Sequence, residues 1–204
     1  MSERQEERPV ECLEGSEELV GYRTKIWRKD AFQITGYTLI IPANADRQTI
    51  PQFVSELMAD GSIEELTKAS SVPPWGLGLG SWDPECEPGG MRYTVCIEET
   101  EHTDLRHLTT KHPLHTQRFE ACDWMCFEMN DNDDQFWKSN PYTMLKKLGY
   151  RFHLRVGVHF DAFPPDFDPE KNMEVEFWIS VAKESEECDT CSVREDCARI
   201  QPFE

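Results

Sequence analysis

Apolar positions recur along this chain with two periods, and the places where one gives way to the other outline its elements. The stretch Phe32–Ile41 is rich in β-branched and aromatic residues and reads as a strand. Ile50, Phe53, Val54, Leu57 and Met58 then fall at i, i+3, i+4, i+7 and i+8, the stripe that a helix must bury. Thr49 is the expected N-cap of that helix, with Gln52 placed to close a capping box. Ser62 and Glu65 predict a second box and a short helical extension, which Pro73 and Pro74 end. Strands are expected over residues 75–82 and 91–98.

The same course then runs again. Residues 119–129 read as a strand, residues 134–138 as a short segment, and Asn140-Pro141 as the start of a helix that Gly149 ends. Tyr142, Leu145 and Leu148 form its apolar side. Strands follow over 151–160 and 173–181, joined by a loop rich in Pro and Asp like the loop over 83–90. The expected fold is therefore α+β: tandem β-α-β-β repeats, about 20–100 and 116–183, related by a pseudo-twofold axis. They form an antiparallel sheet that carries two helices around a central cleft. Residues 1–19 and 184–204 read as acidic terminal segments outside this domain.

The formal charge of -18 sharpens the picture. Residues 1–18 and 184–204 each carry seven acids and two arginines, so removing both net -5 segments leaves about -8 on the middle. That balance opposes direct nucleic-acid binding, which needs clustered Lys and Arg, and favours cationic ligands. No apolar run approaches bilayer length and the first residues lack a signal-peptide core, so no membrane association and a cytoplasmic location are expected. Eight cysteines are then expected as thiols, with Cys96, Cys122 and Cys126 in apolar stretches acting as small core residues.

Several groups could carry chemistry. On the last strand Glu174, Glu176, Trp178 and Ser180 share one face, and Val175, Phe177, Ile179 and Val181 the other. Taken alone, this strand reads more simply as a solvated acidic face over a core. If the face lines a cleft, Glu176 gains from a cation and Trp178 offers a stacking surface. His107, His112 and His115 match no metal-ligand spacing and read as an exposed linker. Cys188, Cys191 and Cys197 form a C-x2-C-x5-C cluster that could take zinc or an iron–sulfur cluster with a fourth ligand such as Cys12, although free or oxidised thiols are the simpler reading. No cofactor is required. Gly76, Gly78 and Gly80 alternate as in a strand and make no phosphate loop.

Gly76-Leu77-Gly78-Leu79-Gly80-Ser81-Trp82-Asp83-Pro84, followed by Met91-Arg92-Tyr93-Thr94-Val95-Cys96-Ile97, resembles the first-repeat hairpin of GyrI-like proteins. Val175-Glu176-Phe177-Trp178-Ile179-Ser180-Val181 resembles the last strand of the AraC-type effector-binding domain. The resemblance spans about residues 20–183; Thr94 stands where the family usually has an acid, and Ser180 where it usually has Pro. It implies the tandem β-α-β-β fold and a central cleft for varied, often cationic aromatic compounds. It also places the acid Glu176 in the pocket with Trp178, and suggests Tyr93, then Trp82, His159 and Trp75, as further ligand contacts. The roughly twenty residues before the first strand are too few for a helix-turn-helix, so transcriptional control would need a protein partner.

The leading expectation is thus a binding protein for a small amphipathic, cationic aromatic compound. One rival is a hydrolase of a strained electrophilic toxin, with Glu176 as general base. Another is an acidic interaction protein of gyrase-inhibitor type. Any metal is expected through Cys188, Cys191 and Cys197, which alone have tight ligand spacing outside the core; elemental analysis of anaerobically purified protein finding neither zinc nor iron would remove that site.

Overall fold

A computed structural model describes residues 11–45, 48–69, 76–81 (backbone only), 90–106, 108, 112–130, 133–153, 157–163 and 173–184. In chain order the elements are β1 (Glu11–Cys12), α1 (Ser16–Val20), β2 (Thr24–Lys29), β3 (Phe32–Ile41), α2 (Thr49–Ala59), α3 (Ser62–Ala69), β4 (Gly76–Ser81) and β5 (Met91–Glu98). They continue with β6 (Leu114–Phe119), β7 (Cys122–Asn130), α4 (Asp134–Lys138), α5 (Pro141–Lys147), β8 (Tyr150–Phe152), β9 (Val158–Phe163) and β10 (Glu174–Lys183). The α+β class is the one read from periodicity, but β1, α1, β2 and β6 add elements that the reading of two β-α-β-β repeats did not contain.

Local chemistry sets most boundaries. The helix expected to be capped by Thr49 instead has Thr49 as its first residue, Gln48 as the flanking one and no side-chain cap, so the Thr49/Gln52 box is not made. At α3 the Ser62 N–H donates to Asp60 Oδ1 at 3.0 Å, with Gly61 between them at φ 83°. In the second half Asp133 Oδ1 accepts from the N–H groups of Gln135 and Phe136, and Asn140 Oδ1 accepts from that of Tyr142, so both short helices are capped. The strand expected over 151–160 is broken into β8 and β9, with Gly157 at φ 63° between them. Both pieces pair with the same edge of β10.

All strands join one antiparallel sheet in the order β1-β2-β7-β10-β9-β4-β5-β3-β6, with β8 also on β10. From β2 to β6 this order reads alike from either end once β2 is matched with β6, β7 with β3, β10 with β5, and β9 with β4. The halves also exchange strands: β2 precedes β3 in sequence yet pairs with β7, and β6 precedes β7 yet pairs with β3.

Strand alternation then builds three clusters. On one face Tyr37, Ile41, Tyr93 and Ile97 pack with Phe53, Leu57 and Leu66 of α2 and α3. On the same side of the other half Phe127, Phe177 and Ile179 pack with Phe136, Met144 and Leu145 of α4 and α5. The opposite face carries Phe32, Ile34, Cys96, Phe119, Cys122, Trp124, Val158, Phe160 and Ala162, a cluster made of strand residues alone. No helix among the described residues is long and apolar enough to cross a membrane.

Gly36 lets β3 and β5 approach: a Cβ there would sit 2.1 Å from the Val95 carbonyl oxygen and 2.5 Å from Cys96 Cα. Those are backbone atoms, so relief requires a ladder shift rather than a rotamer change. Gly36→Ala is expected to destabilise the protein by about 1–3 kcal/mol or more, as overpacking does. The urea midpoint checks this, and an unchanged midpoint would show that the two strands yield freely.

Candidate functional site

The helix-free face gathers the candidate residues because of the register of β10. Its pairing with β7 sets Glu176 opposite Glu128, Trp178 opposite Cys126 and Ser180 opposite Trp124. Its pairing with β9 sets Trp178 opposite Phe160 and Glu176 opposite Ala162. Strand β2 adds Lys25 opposite Cys126 and Trp27 opposite Trp124. Residues paired in this way project to the same side of the sheet.

An aromatic platform results. The Phe160 and Trp178 rings stack at 5.5 Å and 15°, Trp27 lies 5.7 Å from Trp178, and Trp124 lies 4.9 Å from Phe160. Phe32 extends the group at 5.8 Å from Trp124.

The acid sits at the edge of this platform, held by neutral donors. The Trp178 indole Nε1–H donates to Glu176 Oε2 at 2.9 Å. Burial, and then the negative charge of Glu176, push the Cys126 thiol well above its usual range, so it stays protonated and hydrogen-bonds to the same carboxylate. Beside it, Lys25 pairs with Glu128, and its pKa is raised chiefly by that hydrogen bond. Of the two facing glutamates one is thus neutralised by a salt bridge, while Glu176 makes no ion pair with any described residue. The hydroxyl of Ser180 donates to the Val158 carbonyl at 3.0 Å and closes the row.

Glu176 and Trp178 are therefore brought together as the strand pattern suggested. Tyr93 and His159 are not beside them. Tyr93, 7% exposed, packs among Phe53, Leu57 and Leu66 under the helices of the first half. His159 lies next to Phe160 in sequence and so projects to the other side, where its ring is 5.3 Å from Phe177 and its Nδ1 is 3.1 Å from the Tyr142 hydroxyl. Trp75, Trp82, Cys188, Cys191 and Cys197 lie outside the described residues. Among the described residues no group of three or more His, Cys, Asp or Glu is arranged to hold a metal. An open surface hollow of about 700 Å³ lined by Glu101 to Arg106 shares no residue with the aromatic face, and its Arg106 is tied to Asp104 at 2.7 Å.

Sequence reasoning passed over Trp27, Lys25 and the thiol of Cys126. Lys25, Trp27 and Lys29 alternate with Ile26 on a six-residue strand, and that short alternation was the available signal. What it lacked was the partner, since β2 joins the half of the sheet that lies far away in sequence.

No protein-family model matches the sequence, and no curated protein matches it. Solved structures do. A candidate bacterial transcription regulation protein from Staphylococcus aureus is 15% identical with a TM-score of 0.55, covering 78% of this chain and 97% of that one. SAV2435, solved with tetraphenylphosphonium bound, is 18% identical with a TM-score of 0.56, covering 79% and 93%. The EcmrR C-terminal domain is 13% identical with a TM-score of 0.50, covering 79% and 98%. At such identities the likeness is one of fold: the mixed α+β architecture with a curled antiparallel sheet is shared with these structures.

Burial pushes His159 down to about 4 and Tyr142 up to about 12, so both are neutral near pH 7, with the Tyr142 hydroxyl and His159 Nδ1 sharing a hydrogen bond at 3.1 Å. Because the folded pKa of His159 lies below its ordinary 6.5, the unfolded chain takes up the proton first, and stability present above pH 6.5 is lost as pH falls toward 4. At pH 5 the loss from this residue is up to roughly 2 kcal/mol, less where water reaches the ring. Denaturation at pH 7.5 and pH 5 checks it: His159→Gln is expected to show a smaller drop than wild type, and equal drops would mean that His159 titrates normally.

Proposed function

We propose that the chain is a GyrI-like effector-binding protein that captures a small amphipathic, cationic aromatic compound on the helix-free face of its sheet. The observation that carries this reading is the state of Glu176. Its carboxylate is held in place by the Trp178 N–H and the Cys126 thiol without an ion pair to any described residue, at the edge of the Trp27–Trp178–Phe160 platform. A cation gains from that charge, and its rings gain from the aromatic surface. The tetraphenylphosphonium found on SAV2435, whose fold is shared, is a ligand of this chemistry.

Binding without turnover fits this arrangement better than hydrolysis. A general base needs a carboxylate aimed at a water beside the reacting bond, whereas Glu176 is tied to the Trp178 indole at the edge of a stacked aromatic surface, an arrangement suited to holding a cation with rings. Glu176→Gln keeps the shape and the acceptor oxygen while removing the charge. Because a hydrogen bond to a charged group contributes about 1.5–3 kcal/mol, affinity for tetraphenylphosphonium should fall roughly tenfold or more. Affinity for neutral triphenylmethanol should change little. Calorimetric titration of both ligands checks this, and equal tetraphenylphosphonium affinity in wild type and variant would leave Glu176 as a surface group with no part in binding.

A further inference from the structure

Two indole donors on the same face have no acceptor. Trp27 Nε1 and Trp124 Nε1 are buried and without a hydrogen-bond partner, and they belong to residues paired directly across β2 and β7. Trp124 is 0% exposed, and Trp27 leans on Trp178, the residue that holds Glu176. The other buried partnerless atoms among the described residues, Thr24 Oγ1 and Ser62 Oγ, are hydroxyls on the helix-bearing side, where rotation offers them alternatives. An indole N–H is a donor only, and its direction is fixed by the ring. Leaving such a donor buried and unpaired is costly, and a native structure that keeps two side by side calls for an explanation.

We infer that these indoles are the acceptor-recognising part of the ligand site: the compound held by Glu176 also carries a neutral hydrogen-bond acceptor, a carbonyl or ether oxygen, which takes the buried N–H of Trp27 or Trp124 as the aromatic side chains around it move aside. The inference rests on the cation-binding reading and narrows its ligand class. Glu176 and the indoles sit on adjacent rows of one face: Trp178 is opposite Cys126 on β7, and two residues earlier on β7 lies Trp124, opposite both Trp27 and Ser180. Ser180 does not compete for the acceptor, because its hydroxyl is already spent on the Val158 carbonyl. A bare aromatic cation would satisfy the charge and leave both donors orphaned. One bearing an acceptor a few ångströms from its charge would satisfy both.

The test uses a matched pair of permanent cations, (4-acetylphenyl)triphenylphosphonium and (4-isopropylphenyl)triphenylphosphonium, which differ only in the acceptor. Calorimetry on wild type is expected to favour the acetyl compound by roughly fivefold or more, the worth of a hydrogen bond made to a buried donor. In Trp27→Phe with Trp124 intact, or in Trp124→Phe with Trp27 intact, one of the two should lose that preference while keeping its affinity for the isopropyl compound within a few-fold. Should a variant fail to fold, the indole 15N–1H signals of the six tryptophans of the wild-type protein serve instead. The signal of Trp27 or Trp124 is expected to move downfield with the acetyl compound and not with the isopropyl one. Equal affinity for the two cations, or indole signals that respond alike to both, would overturn the acceptor inference and leave cation capture standing. Failure of both cations to bind would instead remove the reading on which it rests.

Discussion

The ladder between β4 and β9 makes one sheet out of two halves. Six residue pairs, from Gly76 opposite Phe163 to Ser81 opposite Val158, join the outer strand of each half to the other. Without it β4 and β9 would be exposed edges, each presenting a row of unpaired N–H and C=O groups. Joining them places Phe160 and Ala162 in the middle of a continuous face, with β10 on one side and the strands of the first half on the other. The exchange of β2 and β6 between halves ties the ends of the sheet in the same way, so that residues far apart in sequence share one surface.

From that surface follows the division of labour between its two sides. Side chains at odd positions of β10, Val175 to Val181, are 4% exposed or less and pack under short helices, where shape is all that matters. At even positions the neighbours are strands only, and the sequence places there an acid, indoles, a thiol and a lysine. Burying polar groups costs free energy unless they are paired, and the local solution is uneven. Glu128 is paired with Lys25 and Ser180 with a carbonyl, but Glu176 has neutral donors and two indoles have nothing. A fold selected for stability alone has a simpler option in the apolar residues that fill the opposite face.

Much of the architecture was legible in the sequence because periodicity reports directly on which face is buried. The stripe from Ile50 to Met58, the paired strands ending at Glu98 and near Lys183, and the Asn140-Pro141 helix start all have local causes. Residues 24–29 and 114–119 were not read as strands. Their outward residues are Lys, Arg, Gln and His, and their partners lie across the sheet in the other half. For the site, Glu176 and Trp178 were legible because both lie on one strand two residues apart. Tyr93 and His159 could not be placed from sequence, since a shift of one residue in cross-strand register exchanges the two faces. The ladder pairs Trp178 with Phe160, which sends His159 to the far side.

The two halves, alike in strand order, differ in what they present. Where the resemblance to GyrI-like proteins expects an acid, Thr94 is 0% exposed, and its hydroxyl lies 3.3 Å from that of Thr38, to which Arg92 also reaches at 3.4 Å. A neutral threonine pair there has no charge to offer, so the carboxylate of this face sits in the half built on β7, β9 and β10. Under the proposed reading, a cation attracted to it would be drawn off the centre of the sheet, toward Trp27 and Trp178 and away from β3 and β5. The asymmetry of two residues therefore gives a sheet alike in strand order from either end one polar end, and a ligand of the proposed kind would carry its charge at one end as well.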